Sequence, residues 1–192
     1  MKYLGSKKII TDRLELRAQT MEEQKYLWEL LMNEKVNKYF LISPKKLIEK
    51  LKNWDIQEKF YKEKVKKANN LDVFEWSIFL KNTNTCIGRI CCQCNDKSNE
   101  DIRDVGWIID PKYQQKGFAT EAAGAMLEFM FNECDISEIK TSAATVNPAS
   151  WKLMEKLGFE RQKEIEYSQY TYVDGLTKCY TYYLNKEMYN NK

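Results

Sequence analysis

The chain contains no histidine. That removes the commonest general base, the commonest metal ligand and every Ser-His or Cys-His nucleophile pairing, so any proton transfer falls to a carboxylate, a hydroxyl, a thiol or water. Chain breakers are scarce as well, with 7 glycines and 3 prolines in 192 residues. With no repeat, low-complexity tract or linker-like stretch, one domain over residues 1–192 is the expected organisation. No apolar run approaches the length of a membrane span, and the opening Met1-Lys2-Tyr3-Leu4-Gly5-Ser6-Lys7-Lys8 has no signal-peptide core. The expectation is a cytoplasmic protein without a membrane partner. Excess charge of one sign is missing too: a formal net charge of +3 gives no whole-protein case for binding nucleic acid.

What is present suits an ordinary globular chain. Hydrophobic residues make up 43% and charged residues 31%, which is enough apolar surface for a core and rules out wholesale disorder. Six cysteines occur, at Cys86, Cys91, Cys92, Cys94, Cys134 and Cys179. Cys91 and Cys94 have the C-x-x-C interval, but on a strand they point to opposite faces, and no second pair completes a zinc site. Reduced, buried thiols and no metal are expected.

The most informative stretch is Gln114-Gln115-Lys116-Gly117-Phe118-Ala119-Thr120-Glu121. It lies between an apolar strand, Val105-Gly106-Trp107-Ile108-Ile109, and a helical run from Thr120 to Glu133. A strand that stops at Asp110-Pro111, turns through a glycine and enters a helix presents several unpaired N–H groups and the positive end of the helix dipole at one point. Such a point suits an anion; glycine lets the backbone approach a phosphate, and Lys116 adds a positive charge. A nucleotide P-loop needs Gly-Lys-Ser/Thr four residues after its first glycine, and a dinucleotide fingerprint needs three glycines, so neither fits. An ordinary turn glycine ahead of a helix accounts for the local shape equally well.

Elsewhere the period of the apolar residues assigns the elements. Ile9 to Arg17 reads as a strand alternating from Arg13 on, and Thr20-Met21-Glu22-Glu23 as a capping box for a helix carrying Tyr26, Leu27, Leu30 and Leu31. Ser43-Pro44 offers a helix start for a lysine-rich stripe through Lys67, read as a solvated face or one wall of an acceptor cleft. Val73–Leu80 and Cys86–Cys92 form a hairpin across Asn82-Thr83-Asn84, and Val105–Ile109 completes a meander in which Trp76 and Trp107 serve sheet packing. Ile136–Ala143 follows the glycine helix as a strand, which suggests parallel pairing across a crossover. Then Asn147-Pro148-Ala149-Ser150 opens a helix that Gly158 ends, and an aromatic-rich hairpin around Val173-Asp174-Gly175 closes the chain.

Gln114-x-x-Gly117-x-Ala119 at a strand-to-helix junction resembles the pyrophosphate signature of the GNAT superfamily of acyl-CoA N-acyltransferases. Asn147-x-x-Ser150 followed by Glu155-Lys156-Leu157-Gly158-Phe159 resembles the family's second signature, on the helix beside the thiol end of the cofactor. The opening Thr11-x-Arg13-Leu14-x-Leu16-Arg17 resembles the branch that includes the ribosomal-protein N-terminal acetyltransferases. The resemblance implies an α/β (α+β) fold, with a mixed, mainly antiparallel central sheet flanked by helices and a splayed, V-shaped opening for acyl-CoA.

It further implies acetyl-CoA as cosubstrate, with cofactor contacts from Ile108, Ile109, Gln114, Gln115, Lys116, Gly117, Phe118, Ala119, Thr120, Asn147 and Ser150. An amine, either a peptide N-terminus or a small molecule, then attacks the thioester directly. By resemblance an N–H near Ile108 or Ile109 serves the oxyanion, and the pantetheine arm lies between that strand and the one ending near Ala144. Many relatives protonate the thiolate with a tyrosine where this chain has Met154, leaving Ser150 as the nearest hydroxyl, or as a plain first-turn residue. Asp104 is the first candidate base and Glu75 the second. Antibiotic or polyamine acetylation and a non-catalytic acyl-CoA-binding module stay open, as do monomer and homodimer.

Overall fold

Alternating strands and capped helices assemble around one eight-stranded sheet in the computed structural model, which describes residues 1–40, 47–68, 70–94 and 99–191. The first predicted strand is two. β1 (Ile9–Ile10) folds back on β2 (Leu14–Ala18) through a turn in which the Leu14 N–H donates to the Thr11 hydroxyl at 2.9 Å. α1 (Met21–Met32) starts at the expected capping box, with the Thr20 N–H donating to the Glu23 carboxylate at 2.7 Å. A one-turn α2 (Glu34–Asn37) follows, its Lys35 N–H capped by Asn33.

The predicted helix start at Ser43-Pro44 lies outside the described residues. Downstream, the lysine-rich stripe is divided into α3 (Ile48–Lys52) and α4 (Trp54–Lys67). Asn53 causes the break, since its extended backbone ends α3 while its side chain accepts from the Ile56 N–H at 3.2 Å.

β3 (Glu75–Leu80), β4 (Cys86–Gln93) and β5 (Ile102–Ile109) form the expected meander. A 3₁₀ turn (Pro111–Tyr113) leads to α5 (Phe118–Glu128), which ends in a π turn over Phe129–Glu133 where the Cys134 N–H reaches the Phe129 carbonyl. β6 (Glu138–Ala144), α6 (Pro148–Lys156), β7 (Glu160–Ser168) and β8 (Thr177–Asn185) complete the sheet. A last turn of helix, α7 (Lys186–Asn190), was not foreseen, although Asn185 caps it through the Met188 N–H at 2.8 Å. The strand order is β1-β2-β3-β4-β5-β6-β8-β7, with β5–β6 the single parallel pair among the described residues.

Two apolar layers clamp β5. Val105 and Ile109 face α5, whose small Ala122 and Ala123 let it settle on the sheet beside Met126 and Leu127. Ile108 faces the other way, onto Leu27, Leu30 and Leu31 of α1. Each large side chain so buried contributes roughly 1.5–3 kcal/mol. Such packing fixes β5 as a rigid rail. No helix among the described residues is long and apolar enough to cross a membrane.

Candidate active site

The rail is paired unequally on its two edges. β5 matches β4 over six residues, from Asp104 to Ile109, and matches β6 only at Ile102 and Arg103. Beyond that, the Thr141 hydroxyl donates to the Val105 carbonyl at 3.4 Å, and the backbone ladder between the strands ends. The expected V-shaped opening is present. A cavity of about 650 Å³ occupies it, walled by Val105–Ile109 of β5, Ser142 and Ala143 of β6, and the face of α6 from Asn147 to Lys156.

Strand geometry decides which amides face the gap. The Asp110 N–H donates to the Ile87 carbonyl at 2.8 Å, and donors alternate sides along an antiparallel strand, so the Ile108 N–H is turned toward β4. Of the two expected oxyanion donors only Ile109 therefore faces the opening, joined by Trp107. Trp107 is half-buried and lines the cavity, in addition to the sheet packing assigned to it, whereas Trp76 is fully buried in the core.

At the mouth, the loop before α5 is wound tightly. Gly117 is the N-cap residue at φ 80°, ψ 0°, a left-handed conformation that glycine adopts without a Cβ penalty, and Gln115 is also left-handed at φ 59°. Among the described residues, no protein acceptor takes the N–H groups from Gln115 to Thr120. They are bare amides at a helix N-terminus, converging on the cavity that Gln114, Gln115, Gly117, Phe118, Ala119 and Thr120 line. The site therefore fits a diphosphate.

The Gln114 side chain, while lining the cavity, also donates back to the Ile109 carbonyl at 2.8 Å and ties the loop to β5. Lys116 departs from expectation, because its ammonium donates to the Lys112 carbonyl at 3.0 Å beside the Tyr113 ring and does not line the cavity. The cation that meets this loop is Arg13. Its guanidinium donates to the Lys116 carbonyl at 3.0 Å and pairs with Glu121 at 2.6 Å.

On α6, Asn147 holds the N-cap position without a side-chain capping bond, which leaves its amide available at the cavity wall. Ser150 lines the same wall, and its hydroxyl has no hydrogen bond to the described residues. Met154, buried at 2% exposure, forms the apolar floor nearby. The roof was not anticipated. It consists of Lys35, Val36, Lys38, Tyr39 and Phe40, with Phe40 lying so close to β5 that a Cβ on Gly106 would meet its ring at 3.0 Å. A glycine inside a strand is the local signal for such close approach.

The two candidate bases separate. Asp104 lies at the apex of the V, in a second, polar groove of about 570 Å³ that shares Ser142 with the main cavity and also carries Glu164 and Glu166. Glu75 lines neither. It is buried in a polar knot under α4, bound to Lys64 at 2.5 Å and to Gln93 at 2.9 Å, with Arg89 at 3.8 Å. Burial works to raise its carboxyl, but Arg89 and Lys64 outweigh that and hold it below the usual carboxylate range. A carboxylate so committed is a poor proton acceptor.

A family model described as the acetyltransferase (GNAT) domain matches residues 13–160. The chain is 32% identical over 96 residues to the uncharacterized N-acetyltransferase YnaD of Bacillus subtilis, a match that spans 50% of this chain and about half, 54%, of that relative. Spermidine N-acetyltransferase from Vibrio cholerae, solved with CoA and spermine, superposes with a TM-score of 0.77 at 20% identity, covering 94% of this chain and 100% of that one. Ribosomal-protein-S5-alanine acetyltransferase from Vibrio fischeri gives 0.74 at 15% identity, covering 95% and 98%. With the family model spanning most of the chain, and the open sheet and bare amides in place, the chain belongs to the GNAT acetyltransferase family, whose members are acetyl-CoA-dependent acyltransferases.

Proposed function

We propose that the protein transfers an acetyl group from acetyl-CoA to a primary amine by direct attack, the amine being a peptide N-terminus or a small molecule. The observation that carries this reading is the gap between β5 and β6, bordered by unpaired amides at its mouth and by Ser150 on its wall. Acetyl-CoA supplies the activated acyl thioester. Gly117, Phe118, Ala119 and Thr120 offer N–H groups to its diphosphate, and Asn147 offers an amide to its arm. The Ile109 and Trp107 N–H groups face the gap, where donors stabilise a developing oxyanion. Ser150 is the residue assigned to meet the departing thiolate with a proton. Asp104, at the apex, is assigned to draw the proton from the incoming ammonium.

The charges favour entry of a cationic amine from the acidic side. The main cavity is lined by Lys35, Lys38, Lys152 and Lys156 and, among the described residues, by no carboxylate. The groove that shares Ser142 with it holds Asp104, Glu164 and Glu166, with Lys140 occupied by Glu138 at 3.0 Å. A cationic acceptor is drawn along the acidic groove toward the thioester, and the lysines of the main cavity oppose any part of it that extends beyond.

The test is thiol release from acetyl-CoA with a panel of N-terminal peptides, small monoamines and polyamines. Turnover on peptides or monoamines is expected, and Ser150→Ala should lower kcat by about a hundredfold while CoA affinity holds. CoA binding without turnover on any amine would instead favour a silent acyl-CoA-binding module. The absence of both would end the transferase reading.

A further inference from the structure

Arg13 ties the turn between β1 and β2 to Glu121 of α5 and to the Lys116 carbonyl ahead of it. Its backbone N–H donates to Glu121 Oε1 at 2.9 Å, its Nε donates to Glu121 Oε2 at 2.6 Å, and its Nη1 donates to the Lys116 carbonyl at 3.0 Å. The guanidinium lies 4.7 Å from the centre of the Phe118 ring, and its Nη2 sits 3.3 Å from where a Cβ on Gly117 would be. Thr11 completes the arrangement by donating its hydroxyl to Glu121 Oε1 at 2.6 Å. The turn between β1 and β2 thus grips the first turn of α5 and the loop ahead of it.

A trans peptide is planar, and its C=O and N–H point in opposite directions. With the Lys116 oxygen held on Arg13, the Gly117 N–H must point away from the guanidinium, and Gly117 is one of the residues that line the cavity. The left-handed turn at Gly117 has two neighbouring peptide orientations of similar cost for glycine, and a fixed carbonyl partner selects one. We propose that Arg13 is a positioning residue for the cofactor: through the Lys116–Gly117 peptide it holds the amide cradle in the orientation that receives the diphosphate, with Glu121 and Thr11 keeping the guanidinium in place. This rests on the acyl-CoA reading of the cavity. Arg13 acts through the peptide, and Glu121 neutralises its charge, so orientation is the contribution.

The experiment compares two donors, acetyl-CoA and S-acetylpantetheine, which carries the thioester arm and lacks the diphosphate. Calorimetry with CoA serves as a binding measurement that needs no acceptor. Arg13→Ala should weaken CoA binding about tenfold and raise the KM for acetyl-CoA by a similar factor, with kcat unchanged. The kcat/KM with S-acetylpantetheine should equal that of the wild type. Arg13→Lys, which keeps the charge without the two-pronged geometry, should not restore CoA affinity.

Wild-type affinity for CoA in Arg13→Ala, equal losses with both donors, or full restoration by Arg13→Lys would each overturn the proposal. If Arg13→Ala does not fold, Glu121→Gln frees the arginine from its anchor and should shift CoA affinity in the same direction; no shift there would also overturn it. Failure of the wild type to bind CoA would remove the acyl-CoA reading itself, a result seen before any variant is made.

Discussion

The two edges of β5 carry opposite designs. Toward β4 the strand is zipped over six residue pairs, and Gly88 is pressed so near that a Cβ there would stand 2.1 Å from the Ile108 carbonyl. Toward β6 it is joined at two pairs and then released. The same backbone that is wholly satisfied on one side keeps donors unspent on the other. Rigidity from the closed edge positions the amides of the open one, so that a ligand meets groups already in place. The second contrast lies in charge, with lysines around the opening and carboxylates in the groove beyond its apex.

Substitutions on the two edges should therefore fail differently. The largest effect is expected at the mouth of the open edge: Gly117→Glu brings a Cβ to 3.3 Å from Arg13, forces a side chain into a left-handed position and sets a negative charge where the diphosphate is assigned. CoA binding should be lost in calorimetry while the sheet stays folded by circular dichroism; retained affinity would displace the cofactor from this loop. Next comes the closed edge. Gly88→Ala drives a methyl group into the backbone of Ile108 and should cost about 3 kcal/mol or more. For a chain of this size that lowers Tm by roughly 6–12 °C. Should the melting temperature hold, the closed edge is softer than its geometry suggests.

The smallest effect belongs to the link where the strands part. Thr141→Val removes the 3.4 Å bond to the Val105 carbonyl and should cost under about 1 kcal/mol in denaturant unfolding. A larger loss would mean that this single bond, and not the ladder below it, sets where the strands part.

Local chemistry was legible in the sequence wherever one stretch settles its own shape. The capping box at Thr20, the left-handed Gly117 ahead of α5, Pro148 at the start of α6 and the stop at Gly158 stand where the residues foretold them, because neighbours a few positions apart fix each one. The GNAT signatures were readable for the same reason. Roles that depend on distant partners were not. Lys116 was the obvious cation for the loop, yet it folds back on Lys112, and the guanidinium that meets the loop comes from 103 positions earlier. Glu75 had the right chemistry for a base until α4 delivered Lys64 and β4 delivered Arg89. The roof from Lys35 to Phe40 left one trace, the glycine at 106, which has meaning only once Phe40 is seen against it.

The amino-acid order by itself determined most of the strands, the capped start of α1, the proline start and glycine stop of α6 and the turn at Gly117, since each follows from side-chain periodicity and backbone freedom over a few residues. Tertiary structure alone decided how far β5 and β6 stay paired, which β5 amides remain open, and which charges reach them. Pairing length and charge placement are sums over segments far apart in the chain, and only the folded sheet brings those segments within hydrogen-bonding distance.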